Sequence, residues 1–275
     1  MNALSPPFPA MQRSHGEAVV TLVPGPGRAR LRGLRQIGCA KAILPRCEGA
    51  VPEVVFLNTA GGLTSGDLLS YALTLGPGCR ALATTQTAER AYAAPHGPAR
   101  VTVRHAVGAG GWLDWLPQET ILFQNANLHR QTRIDLAPGA GCLLLESLVL
   151  GRAAMGETVT RLHLTDRREI TRVGRPLLLD PFALDGTILS RADSPALLGG
   201  ARAMAVLALV GAGAEDSLAP VRAVLDEAGV EAAASAFDGR LLVRLLAADG
   251  WPLRRQVARL LGVLRRGALP RVWQM

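Results

Sequence analysis

Three carboxylates stand in surroundings that suggest chemistry. Asp67 closes the glycine-rich loop "GGLTSGD" (Gly61, Gly62, Gly66), Glu119 follows Pro117 in "WLPQETILF", and Glu146 lies in "GCLLLES". Thr84, Thr85 and Gln86 add further oxygen donors in "ATTQTAERAY". Oxygen groups of this kind bind a divalent cation loosely, whereas imidazole and thiolate hold the later transition-metal ions tightly. The segments around Asp67, Thr84–Gln86 and Glu119 hold neither His nor Cys. A glycine-rich loop after the apolar run "VVFL" also suggests a phosphate cradle. That reading fails, because the loop has no lysine, leads into the strand-like "LLSYALTL", and ends on an acid that repels phosphate. Asp67 has two remaining readings: a cation attractor, or a turn-capping aspartate that accepts backbone N–H bonds.

Other chemistries find little support. His15, His96, His105, His129 and His163 are scattered, and Cys39, Cys47, Cys79 and Cys142 form no Cys-x-x-Cys pair. Cys79 and Cys142 lie in apolar, strand-like runs and read as small core residues. There is no G-x-S-x-G elbow. Asp114 and Glu119 are a carboxylate pair of the sort a glycosidase uses, which keeps a β-solenoid carbohydrate-active enzyme as the alternative function.

The elements that position these residues repeat. "YALTLGPGCRALATT", "VTVRHAVGAGGWLDWL" and "TRIDLAPGAGCLLLES" each read as strand, tight turn, strand, with turns starting at Gly76, Gly108 and Ala137. A fainter fourth copy is "RLHLTDRREITRVG". Each first strand alternates polar and apolar residues, the mark of a half-buried strand. Each second strand is more continuously apolar and so is expected to be covered on both faces. Units at a fixed period predict a mainly β fold, a helix-like stack of strands that is solenoid- or sandwich-like. Residues 1–14 read as a flexible tail, 15–200 as the β-rich body, and 201–275 as a smaller C-terminal α/β unit with about two helices. One helix is expected in "EDSLAPVRAVLDEAG", capped by Asp216 or Ser217, with Pro220 in its first turn and Gly229 as its stop. The other is expected in "GWPLRRQVARLLGVLRRG", with Leu253, Val257, Leu260, Leu261 and Leu264 on one face and arginines elsewhere.

The chain has 275 residues, 49% of them hydrophobic, enough for a real core. Its net charge is +8, and Lys41 is the single lysine among the 30 basic residues. Only 4% of residues are aromatic, so the stacking platforms of single-strand nucleic-acid binders are missing. No apolar run reaches the ~20 residues that cross a bilayer, and the N-terminus lacks the pattern of a secretion signal. The reading is a cytoplasmic protein with no nucleic-acid or membrane partner.

Taken together, "GGLTSGD", "ATTQTAERAY", "WLPQETILF" and "LGRAAMGE" (Leu150–Glu157) resemble, in order, the motifs of the UreD (UreH) family of urease accessory proteins. This chain departs from the family pattern in carrying "NTA" before the two glycines and "TSG" before Asp67. The resemblance implies a non-enzymatic, mainly β scaffold that binds UreF, reaches the GTPase UreG through UreF, and contacts apo-urease. It also implies that nickel is cargo in transit, with no permanently bound cofactor. On that reading Asp67, Glu119 and Glu146 mark a weak nickel path. Gly61, Gly62, Gly66, Thr84, Thr85, Gln86, Arg152 and Glu157 line a channel or meet a partner, and Arg152 with Glu157 alternatively forms a structural ion pair.

Overall fold

The three strand-turn-strand repeats become three coils of a stack. The computed structural model describes residues 13–46, 51–265 and 267–273; residues 1–12 of the expected tail lie outside them. In each coil, a strand of one sheet runs through a tight turn into a strand of a second sheet, and a longer segment returns to the first.

Sheet A has seven strands in the order β14 (Arg175–Asp185), β13 (His163–Arg172), β11 (Asn127–Leu136), β8 (Ala99–Val107), β5 (Leu68–Leu75), β1 (His15–Val23) and β2 (Arg30–Gly38). Its central pairings are parallel, and antiparallel hairpins close both ends. Sheet B has ten strands, with the main path β16 (Val230–Phe237), β17 (Arg240–Ala247), β15 (Ala203–Val210), β12 (Gly141–Leu150), β9 (Trp112–Trp115), β6 (Arg80–Thr85), β4 (Glu53–Asn58) and β3 (Ala40–Ile43). The short strands β7 (Glu89–Ala91) and β10 (Thr120–Leu122) extend it beside β12. The mainly β, solenoid-like stack expected from the repeats is therefore the fold. The fourth repeat differs: β13 does not cross to sheet B but turns at Val173 and Gly174 and returns as β14 in sheet A.

The tight turns stack on one another. Gly108 N–H donates to the Leu75 carbonyl at 2.8 Å, and Gly110 N–H to Pro138 at 3.1 Å. A Cβ on Gly108 would lie 2.6 Å from the Gly76 carbonyl carbon and 2.8 Å from the Leu75 oxygen, so only glycine allows this approach.

Sheet B is the middle layer, which explains its continuous apolar strands. Its inner side chains, such as Phe56, Leu113 and Leu144, pack against Leu73, Ile134 and Leu164 of sheet A. Its outer side chains, such as Leu143, Leu207, Leu209 and Val243, pack on α3 (Gly250–Leu264) through Leu253, Val257, Leu260 and Leu261. Asp249 caps α3 by accepting from Gly250 N–H at 2.6 Å. The arginines of α3 reach acids: Arg254 pairs with Glu119, Arg255 with Glu227, and Arg259 with Asp226, while Arg265 just beyond the helix pairs with Asp114.

The helix expected over 215–229 is shorter than predicted. A single 3-10 turn (Ala214–Ser217) runs into α2 (Leu218–Arg222), preceded by α1 (Gly186–Leu189) earlier in the chain. Ser217 makes no side-chain cap. Gln256 of α3 explains the early end. It accepts from Glu227 N–H and donates to the Val224 carbonyl, fixing 224–227 as a non-helical strap. β15, just past residue 200, pairs directly with β12 in the same sheet. No helix among the described residues is long and apolar enough to cross a membrane.

Candidate functional site

The parallel register stacks inward side chains in rows. One row runs Leu69, Val101, Arg130, Asp166; the next runs Tyr71, Val103, Thr132, Arg168, Asp180. Along each row the interior passes from apolar in the early coils to ionic in the late ones. Arg130, Asp166, Arg168 and Asp180 are all buried. From sheet B, Glu146 enters the same layer.

These groups form one network. Arg130 holds Asp166 bidentately at 2.9 and 2.6 Å and donates to Thr120 Oγ1 at 3.1 Å. Glu146 lies 3.2 Å from Arg130 and 3.0 Å from Arg168, and it also accepts from the Thr132 hydroxyl. Arg168 bridges to Asp166 and Asp180, and Arg244 reaches Asp180 from the rim. Three cations thus face three carboxylates. Burial works against the charge on Arg130 and Arg168, yet Asp166 and Glu146 overcome it and hold both guanidiniums above their ordinary range. Burial likewise opposes ionisation of Asp166, but Arg130 and Arg168 keep its carboxyl below the usual value.

Two cavities meet at this network. One of about 70 Å³ is lined by Asn58, Gly61, Gln86 and Glu89 at one end and by Trp115, Arg130 and Glu146 at the other. A second of about 220 Å³ is lined by Glu146, Arg168, Phe182, Met204 and Arg244. Both have room for water. Glu146 borders both.

The residues singled out from sequence fall into separate places. Gly61, Thr85, Gln86 and Glu146 line the first cavity. Asp67 is buried elsewhere, in the turn it closes. Its two oxygens accept from Ser14 N–H and Thr64 N–H, each at 2.8 Å, which is the turn-capping arrangement. Gly62 packs so closely that a Cβ would lie 2.3 Å from the Tyr92 ring; Gly61 and Gly66 also take positive φ. Thr84 donates to the Leu116 carbonyl at 2.6 Å and braces β6 against the segment after β9. Glu119 lies on the outer side of sheet B, its side chain 31% exposed and 3.5 Å from Arg254. Arg152 and Glu157 form an ion pair at 2.8 Å, and Glu157 also accepts from Gln124 N–H. The Arg152 guanidinium stacks 4.8 Å above the Phe123 ring.

Several residues of the cavity and network were not anticipated. Glu89 accepts from Asn58 at 3.2 Å, and burial pushes its carboxyl up against the lowering effect of Arg90 N–H and Asn58. Arg130, Asp166 and Arg168 carried a readable signal. In "NLHRQTRIDL" the inward parity is fixed by Leu128, Ile134 and Leu136, so Arg130 and Thr132 share the core face. Cys79 and Cys142 are free thiols buried in the core, and burial pushes Cys142 up to about 12. His105 is buried edge-on to Trp115 at 4.6 Å, and burial pushes it down to about 3. Among the described residues no group of three or more His, Cys, Asp or Glu is arranged to hold a metal.

Comparison with known proteins adds a finding of a different kind. Residues 14–274 match the family model described as UreD urease accessory protein. The chain is 69% identical, over the full length of both chains, to a Urease accessory protein UreD of Cereibacter sphaeroides (strain ATCC 17025). It is 60% identical to that of Paracoccus denitrificans, covering 96% of this chain and 94% of the relative. It is 41% identical to that of Methylobacterium sp. (strain 4-46), covering 98% of each.

Proposed function

The chain belongs to the UreD family of urease accessory proteins, and from that premise we propose that it is a non-catalytic scaffold through which nickel travels to apo-urease. It docks UreF, meets UreG through UreF, and works in the cytoplasm. The cargo path runs between the two sheets, entering near Gly61, Gln86 and Glu89, passing Glu146, and leaving by the cavity beside Arg244.

The observation that carries this reading is that Glu146 borders both cavities. The donors along the path are oxygens from Thr85, Gln86, Glu89 and Glu146. Nickel favours imidazole and thiolate, so oxygen donors hold it weakly and release it. Glu89 is desolvated near the entrance, and a passing cation offsets the cost of its charge. At Glu146 a dication competes with Arg130 and Arg168, which shortens its stay. Asp67, on this reading, shapes the loop at the entrance and Glu119 meets a partner on the outer face.

The test uses cells that carry a urease operon, with Glu89→Gln and Glu146→Gln introduced separately. Urease purified from each is assayed for nickel content and activity, and UreF co-purification confirms assembly. The expected result is a loss of nickel loading of ten-fold or more with UreF still bound. Normal loading in both variants would rule the interior path out.

A further inference from the structure

The stacked sheets have four edges, and three are protected. β3 is only four residues long. β14 carries Pro176 and Pro181, which cannot donate to a further strand. β16 is flanked by α2, and Arg222 takes the Ala234 carbonyl at 2.9 Å. The fourth edge, β2, has nine residues, no proline and, among the described residues, no sheet neighbour except β1. A long edge without proline or a covering element invites another strand, and the arginines and the register shift of β2 restrict which strands can join.

The side chains of β2 say what kind of strand fits. Leu31 and Leu34 stand opposite Leu22 and Val20, which point into the core between the sheets. They therefore lie on the core side of sheet A, yet remain 43% and 42% exposed. Arg35 and Ile37 stand opposite Val19 and Glu17 on the outer side, and Arg32 falls at the register shift. Arg35 pairs with Glu17, while Arg30 and Arg32 have no ion pair among the described residues. The edge thus presents Leu31 and Leu34 with Gln36 on the inner face, and arginines beside exposed Ile37 on the outer.

We infer that β2 is a docking edge for an extended acidic segment of a partner protein, which joins sheet A as an eighth strand. Main-chain hydrogen bonds supply the affinity, as in other strand additions. Alternation supplies the selectivity: apolar side chains cover Leu31 and Leu34, and carboxylates meet Arg30, Arg32 and Arg35. This inference is independent of the nickel path.

The probe is a capped eight-residue peptide of alternating glutamate and valine, tested on the full chain as purified with UreF. Binding is followed by anisotropy, and hydrogen exchange reports which amides slow. The expected result is saturable binding that slows the amides of 30–38 and weakens ten-fold or more in Arg32→Glu/Arg35→Glu. A second variant, Leu31→Thr/Leu34→Thr, leaves the charges in place and weakens the same binding. Three outcomes would overturn the inference: a lysine–valine peptide protecting β2 equally, the glutamate–valine peptide slowing amides elsewhere, or a dT oligonucleotide protecting 30–38.

Discussion

The early and late coils share one backbone plan and fill it with opposite chemistry. In the rows that start at Leu69 and Tyr71, β5 and β8 contribute Leu, Tyr and Val, whereas β11 and β13 contribute Arg, Thr and Asp. Apolar filling stabilises without direction and tolerates small losses. Ionic filling must recover a desolvation cost of several kcal/mol per ion, and does so only while every partner is present. The same coil geometry thus accommodates either filling.

The contrast breaks most sharply at Asp166. Asp166→Ala leaves Arg130, Arg168 and the rim Arg244 with only Glu146 and Asp180 as counter-charges, and the expected loss is ~3–5 kcal/mol. Calorimetry should show a fall in Tm of roughly 10 °C. Replacing the pair together, as Arg130→Met/Asp166→Leu, should recover much of that loss; failure to recover would mean that the network has further dependence on each charge. In the early coils, Leu73→Ala creates a cavity instead, costing ~2–4 kcal/mol with no partner whose replacement restores it.

Acid separates the two interiors. His105 has a folded value of about 3 against an ordinary 6.5. Below pH 6.5 the unfolded chain takes a proton that the folded chain refuses, so stability falls by ~1.4 kcal/mol per pH unit toward pH 3. His105→Leu should flatten that slope in unfolding curves measured from pH 7 to 5. Asp166 is held below its ordinary 3.8, so its contribution is fully present above that value and is lost only under stronger acid. The smallest effect belongs to a pair outside both interiors: Arg152→Ala removes a half-exposed ion pair, and denaturant titration should show a change under ~1 kcal/mol.

Much of this was legible in the chain. The turns at Gly76, Gly108 and Ala137 gave the coil period, and the apolar second strands identified the doubly covered sheet. The fourth repeat was misleading, because nothing in "RLHLTDRREITRVG" distinguishes a crossing from the Val173–Gly174 reversal into β14. The helix over 215–229 followed local signals that Gln256, some thirty residues away, overrides. β16 is rich in alanine, a helix former, yet pairs with β17. At the site, loop motifs pointed to carboxylates, but which of them share a cavity depends on contacts across the two sheets. Glu146 entered the interior while Glu119, only 27 positions earlier, faced outward, because Pro117 ends β9 and breaks the alternation.

The nested turns give the molecule two unlike flanks. On one, Gly76, Gly108 and Gly141 lock successive coils carbonyl to amide, so an extra residue there would push a whole coil off its neighbour. On the other, the longer segments 59–67, 86–98, 116–126 and 151–162 return the chain between coils and are held by side-chain contacts such as Gly62 against Tyr92 and Arg152 with Glu157. Gly61, Gln86, Glu89, Glu119 and Arg152 belong to that second flank or its border. The winding is thus set on one flank, and the candidate contacts are carried on the other.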